Sequence, residues 1–373
     1  MFRSALALVL AVLVTAIVGA RPAVAARPWP CLPPVFDHGQ RIHPLPYPDV
    51  YWLELMLRQH ELCWREPKTP GELRVALYGS SAAYGFPLPA EKGLAGLLNA
   101  HFEAVGMPAH VYNLAMVTTY QVRDAVIMSE SLPYDPDVII YPITLADFRH
   151  LAPLQDAIVT NFFRMNATAL QRAIDAPPAG LEAPFAVYQG WLDQREDERK
   201  RTDQLRDVGR YLRQAIRVLA EAIVARLDAP LPPPEIATGG RQFYYDCAKT
   251  QAASESFRDF EQWNVLAYLA DLQRQRGIRV LVIQWPIAHE QVGSCYSARF
   301  TADQVLEFSD WVRAEVVQRN LAYVDLHQFL AAGFFYDSLH VTADGQQRIA
   351  TTVAQVLDPI LQTVLTTREA RDN

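Results

Sequence analysis

The chain has 373 residues, half of them hydrophobic and a fifth charged, with a formal net charge of −7. This describes a globular protein with ample material for a core, in one large domain or two small ones. Acidic and basic residues are interspersed, which argues against a nucleic-acid partner, since binding phosphates calls for a concentrated basic face.

Residues 1–26 form a separate unit. Met1-Phe2-Arg3 is a short positive start, Ala5 to Ala20 is an uncharged apolar run, and Ala23-Val24-Ala25 supplies small residues at signal-peptidase spacing. The segment reads as a secretory signal cleaved near Ala25, whose loss with Arg3 and Arg21 takes the charge from −7 to −9. The alternative is an uncleaved membrane anchor, because 16 apolar residues is near the lower limit for spanning. Either way the remainder is expected to be exported, to the periplasm or beyond. Four cysteines remain in it, Cys31, Cys63, Cys247 and Cys295, and an even number in an oxidising compartment suggests two disulfides. Three pairings are open; Cys31–Cys63 with Cys247–Cys295 is favoured. No cysteines or histidines have metal-ligand spacing, so no metal is expected.

Residues 27–70 are an N-terminal extension, Pro-rich at first and then helical in pattern at Tyr51–Leu57. From there short β-rich runs alternate with helical ones. Strands are expected at Leu73–Tyr78, Val111–Leu114, Asp137–Tyr141, Ile278–Ile283 and Ala322–Leu326. Helices are expected at Gly93–Val105, Gln121–Ser131, Phe257–Arg274, Ala302–Gln318 and Gly345–Val364, ahead of a tail at 366–373. Such alternation implies an α/β fold, a parallel sheet covered on both faces. Its domain spans 71–150 and 242–365, interrupted by a mainly helical insertion, 151–241, expected over the active face. The insertion carries helices around Gln194–Leu205 and Tyr211–Leu227. In these sheets ligands bind beyond the carboxyl ends of the strands, so the residues just after each strand hold the interest.

After the first strand comes Gly79-Ser80-Ser81-Ala82-Ala83-Tyr84-Gly85, and near the C-terminus Tyr336-Asp337-Ser338-Leu339-His340. A serine hydroxyl is a weak nucleophile until a base takes its proton, and the base works best when a carboxylate orients it. Asp337 and His340, three apart, can supply base and orienter from one turn, leaving Ser81 as nucleophile. A bare strand-to-helix turn remains the alternative for the serines.

These two segments resemble the first and last blocks of the SGNH (GDSL-like) hydrolases. Gly79-Ser80-Ser81 with Gly85 is similar to that family's Gly-Asp-Ser block with serine for aspartate, and Asp337-x-x-His340 to its Asp-x-x-His block. The resemblance covers about 71–147 and 243–365. It implies a three-layer α/β/α sandwich with a five-stranded parallel sheet of flavodoxin-like type, and a catalytic Ser81–His340–Asp337 triad needing no cofactor. The middle blocks depart from the pattern: Ala115 stands at a glycine whose amide serves the oxyanion hole, and Thr144-Leu145-Ala146-Asp147 lacks the asparagine donor at Ala146. The oxyanion hole is then expected from Ser81, Ala115 and Thr144.

The resemblance implies an exported serine esterase acting on an acyl ester, acetyl included, of a small molecule or glycan. An O-acyltransferase modifying an envelope polysaccharide with the same triad is the alternative, and a non-catalytic carbohydrate-binding protein of the same fold is a third. Asp147 reads as structural, bonding the loop of Ser81. His289 lies on the active face as a candidate substrate contact. Asp325 and His327 read as a structural pair, the other histidines have no partner pattern, and Asn166-Ala167-Thr168 is an incidental sequon.

Overall fold

The computed structural model describes Leu53, Lys68, Thr160 and residues 71–116, 121–148, 162–163, 166–193, 265–288, 302–336 and 339–372. The 1–26 segment, all four cysteines, the helical patterns at 194–205 and 211–227, His289 and Asp337 lie outside the described residues, as does the 51–57 pattern apart from Leu53.

Runs buried at every position make strands covered on both faces, and β1 (Leu73–Leu77) and β3 (Val138–Ile143) are of that kind. With β2 (Ala109–Asn113), β4 (Arg279–Gln284) and β5 (Ala322–Asp325) they form one five-stranded parallel sheet in the order β2-β1-β3-β4-β5. β3 runs two residues past its expected end and includes Pro142, although it is a central strand. The position tolerates proline because the β1–β3 ladder stops at Leu77↔Ile140, with Tyr78 N–H closing on the Ile140 carbonyl. Backbone groups alternate sides along a strand, so the donor that Pro142 lacks points where β1 has already turned away.

Crossovers between parallel strands of one sheet follow a right-handed rule, and with the order β2-β1-β3-β4-β5 this places helices on both faces. On one, α2 (Leu94–Val105, between β1 and β2) packs against the final helix, and His101 Nε2 lies 3.0 Å from Asp358 Oδ2 across that contact. On the other lie α3 (Gln121–Ser131) and α5 (Leu266–Arg276), where Ser129 Oγ and Tyr268 OH share a 2.9 Å bond. α6 (Ala302–Gln318) covers β4 and β5. The result is the expected three-layer α/β/α sandwich.

The described part of the insertion is helical, with α4 at Ala167–Asp175 and a second stretch at 182–193, and this part does not lie over the active face; the rest of 151–241 lies largely outside the described residues. α4 packs on α3, with Arg172 Nη2 2.6 Å from Glu130 near that helix's C-terminus, and Ala179 shares a groove with Arg279 and Asn320 at the amino ends of β4 and β5. α3 runs back against the strands, so its last turn lies at their amino ends. This part of the insertion therefore sits away from the carboxyl edge. Asn166 is buried, its Oδ1 accepting from Leu53 N–H at 2.7 Å and its Nδ2 donating to the Phe162 carbonyl at 2.8 Å. Its side chain is thus fully engaged inside the protein.

The final helix, α7 (Ala343–Asp372), extends eight residues beyond the expected Val364 and takes in most of the expected tail. Its apolar stripe of Ile349, Val353, Leu357 and Leu361 is fully buried, each side chain contributing about 1.5–3 kcal/mol of transfer free energy. By length and composition this helix is apolar enough to cross a membrane, but the stripe packs inside the protein. The extension is polar and held by charge: Arg368 donates to the Glu72 carbonyl at 2.9 Å and pairs with Asp137, which also takes Lys68 Nζ at 2.7 Å.

Gly345 lets the start of α7 approach the preceding turn. A Cβ there would lie 2.9 Å from the Phe334 carbonyl and 3.2 Å from the Cβ atoms of Phe334 and Val341. Gly345→Ala is expected to cost about 1–3 kcal/mol by overpacking, seen as a lower urea midpoint with an unchanged slope.

Candidate active site

β1 ends in small residues because the chain turns sharply against β3. Gly79 has φ +125°, and a Cβ there would meet the Pro142 carbonyl at 3.3 Å and Ala83 Cβ at 3.1 Å. The turn opens α1 (Ser81–Tyr84), closed by Gly85 at φ +94°. Ser80 is buried at the N-cap without a side-chain capping bond, whereas Ser81 is half-buried at the first helical position.

At the other end of the chain, Phe335 and Val341 form an antiparallel bridge, and Thr342 N–H donates to the Phe334 carbonyl at 2.8 Å. These bonds close a loop whose last residue is His340, and Tyr336 N–H holds the His340 carbonyl at 2.7 Å. The loop brings His340 Nε2 to 2.8 Å from Ser81 Oγ, across 259 residues of sequence. The Phe86 ring meets the imidazole edge-on, with centroids 5.4 Å apart and planes at 71°. Phe86 N–H also donates to the Ser81 carbonyl at 3.1 Å, so one residue touches both halves of the pair. Asp337 lies outside the described residues.

The expected oxyanion donors are arranged unequally. Ser81 N–H opens α1, where the first amides have no intrahelical acceptor. Ala115 is not among the non-glycine residues with positive φ, so the backbone here does not require glycine. Its N–H, however, donates to Asn113 Oδ1 at 3.2 Å, while Asn113 Nδ2 donates to the Tyr84 carbonyl at 3.1 Å. Met116 N–H adds a 2.9 Å bond to the Gly79 carbonyl, so the end of β2 is stitched to the serine turn. Thr144 has both donors committed to one oxygen: its N–H and Oγ1 reach Asp147 Oδ2 at 2.6 and 3.2 Å. Asp147 N–H returns to the Thr144 carbonyl at 3.0 Å, closing the loop on itself. Asp147 thus bonds its own loop, not the one that carries Ser81.

Beneath the turn lies a buried ionic group. Arg123 is fully buried, 2.8 Å from Asp124 Oδ1, and its Nη2 reaches the Gly79 carbonyl at 3.5 Å. Tyr141 OH donates to Asp124 Oδ2 at 3.2 Å. Burial raises the Asp124 carboxyl, opposed by Arg123. Burial likewise pushes Asp147 up to about 7, opposed by the Thr144 bonds and reinforced by Asp124. Because its folded-state value lies above the unfolded one, Asp147 favours folding fully below about pH 4, and that advantage is lost as pH rises through about 7. Asp147→Asn is therefore expected to gain stability relative to the parent between about pH 5 and 8, measured as urea midpoints at both ends.

Asp325, the last residue of β5, and His327 form a cluster at the end of that strand. Asp325 Oδ1 takes His327 Nδ1 at 2.5 Å and its N–H at 3.2 Å, and Oδ2 takes Arg313 at 2.6 Å. The pair terminates β5, two strands beyond β3. Sequence reasoning did not pick out Phe86, Asn113, the Arg123–Asp124 pair or Trp285, whose indole N–H donates to the Leu339 carbonyl at 3.1 Å. For Asn113 and Trp285 a signal was available: each stands at or directly after the carboxyl end of a strand.

Fold and site together define a three-layer α/β protein with a serine–histidine pair at the carboxyl edge of its sheet. No protein-family model matches the chain, and no curated protein does. Among solved structures it is similar to a carbohydrate acetylesterase family member from Sinorhizobium meliloti, at 12% identity and a TM-score of 0.36 over 79% of this chain and 99% of that one. It is also similar to a protein assigned as an acylhydrolase from Bacteroides fragilis, at 10% identity and 0.39 over 83% and 98%. A third, assigned as an arylesterase from Agrobacterium tumefaciens, matches at 11% identity and 0.36 over 77% and 99%. The chemistry rests on this chain's own residues.

Proposed function

We propose that the protein is an ester hydrolase with Ser81 as nucleophile and His340 as general base. The observation that supports this is the 2.8 Å approach of His340 Nε2 to Ser81 Oγ at the carboxyl edge of the sheet. Oγ attacks the ester carbonyl carbon as its proton passes to Nε2. The resulting tetrahedral oxyanion collapses, and Nε2–H returns the proton to the departing alcohol. Water then repeats the sequence on the acyl-serine and releases the acid. Asp337, three residues before His340, is assigned to hold Nδ1–H so that Nε2 stays free to accept.

The oxyanion is assigned to Ser81 N–H, with Ala115 N–H joining by relaxing its long bond to Asn113. Thr144 contributes little while Asp147 holds both its donors. A weaker hole slows the reaction, since one lost donor costs about 10²–10³ in kcat, without changing its class. The substrate is assigned as an acyl ester of a small molecule or glycan, and the N-terminal segment supports action outside the cytoplasm.

Purified protein is expected to hydrolyse p-nitrophenyl acetate, and Ser81→Ala to remove that activity. A parent protein inert at high concentration would falsify the reading. Acyl transfer to an added polysaccharide in place of water would identify a transferase using the same acyl-serine.

A further inference from the structure

We infer that Trp285 is a positioning residue for His340, acting through the main chain of Leu339; this rests on the assignment of His340 as general base. Trp285 directly follows β4, and its N–H donates to the Ile143 carbonyl at 2.9 Å, continuing the β3–β4 ladder one step further. Its backbone is therefore part of the rigid sheet. The ring is fully buried and the largest such side chain among the described residues, so its indole N–H requires an acceptor inside the protein.

That acceptor is the Leu339 carbonyl, 54 residues away and one peptide before His340. A peptide unit is planar, so holding the Leu339 carbonyl also orients the His340 N–H and Cα. The next peptide plane is held by Tyr336 N–H on the His340 carbonyl at 2.7 Å. His340 Cα thus sits between two restrained planes, one of them tied to the sheet by Trp285. The sheet continues through β3 to β1, which ends in the turn bearing Ser81. Trp285 accordingly references the base to the same rigid body as the nucleophile. Proton transfer tolerates only about 0.5 Å of misplacement before efficiency falls.

A buried tryptophan that only fills space would affect stability and leave reactivity alone, and the test separates these roles. The rate of covalent labelling of Ser81 by a fluorophosphonate is measured for the parent protein, Trp285→Phe and Trp311→Phe. Trp311 is a buried tryptophan of α6 packed against Phe148 and Phe308, so it serves as the structural control. Site-specific replacement of Trp285 by 3-benzothienylalanine keeps the bicyclic shape and removes only the N–H, which covers a Trp285→Phe protein that fails to fold. Both Trp285 variants are expected to label about tenfold or more slowly, with KM for p-nitrophenyl acetate within about twofold of the parent. Trp311→Phe is expected to lose stability without a change in labelling. Trp285 variants that label at the parental rate overturn the positioning role alone. A parent protein that takes no label overturns the functional reading and this inference together.

Discussion

Ser81→Ala and His340→Ala are each expected to lower p-nitrophenyl acetate turnover by roughly 10⁴–10⁶-fold, and the double variant to be no worse than the weaker single one. In the proposed mechanism the two side chains act as one unit: a hydroxyl without a base is nearly inert, and a base without the hydroxyl has nothing to activate. A loss of 10⁴ corresponds to about 5.4 kcal/mol of transition-state stabilisation, far more than one ordinary hydrogen bond contributes to folding. Neither substitution should disturb the fold, because Ser81 and His340 are both half-buried and Ser81 is already followed by Ala82 and Ala83. Steady-state rates for the two singles and the double decide the matter. Losses that multiply would mean two independent sites, which the 2.8 Å contact argues against.

The largest expected effect on stability is at Arg123. Replacing it with methionine leaves Asp124 buried without its cation, a change that costs about 3–5 kcal/mol. Asp124 can escape by taking up a proton, since burial already raises its carboxyl. A raised folded-state value favours the folded protein at low pH and loses that advantage as pH rises. The deficit of Arg123→Met should therefore be smaller at about pH 5 than at about pH 8. The double variant Arg123→Met with Asp124→Leu should recover most of the loss, because a packed apolar pair avoids both desolvation penalties. Urea midpoints for the set at both pH values provide the check. A single variant as stable as the parent at pH 8 would mean that the pair carries no net energy.

Much of the fold is legible in the sequence because burial on both faces of a sheet is written into short apolar runs. All five strands and the helices at Gln121–Ser131 and Ala302–Gln318 follow from that alternation. What escaped periodicity is what depends on partners distant in sequence. Pro142 belongs to β3 only because β1 has ended beside it. The last turns of α7 lack an apolar stripe and persist through Arg368, whose partners lie before β1 and β3. Nothing in the composition of the insertion indicates direction; for its described part, 166–193, the Arg172–Glu130 contact supplies it.

The site divides in the same way. Ser81 and His340 were recognisable because turn chemistry and residue type coincide within a few positions. The fate of the Ala115 and Thr144 donors was not, because it depends on where the Asn113 and Asp147 side chains fold back. Arg123 and Asp124 are adjacent charges in a helical segment, which ordinarily suggests a solvated face. Only the packing of α3 against the sheet puts them inside.

The separation of 259 positions between Ser81 and His340 also sets an order of events during synthesis. Chains emerge from the N-terminus, so the turn bearing Ser81 is made early and the loop bearing His340 close to the end. β4 and β5, which complete the sheet, come late as well. On the proposed reading, a nascent chain holds Ser81 without His340, and reactivity is expected only once the two have met. Contacts this remote in sequence close slowly. Onset of fluorophosphonate labelling during refolding is thus expected to mark the last tertiary step, the meeting of Ser81 with His340.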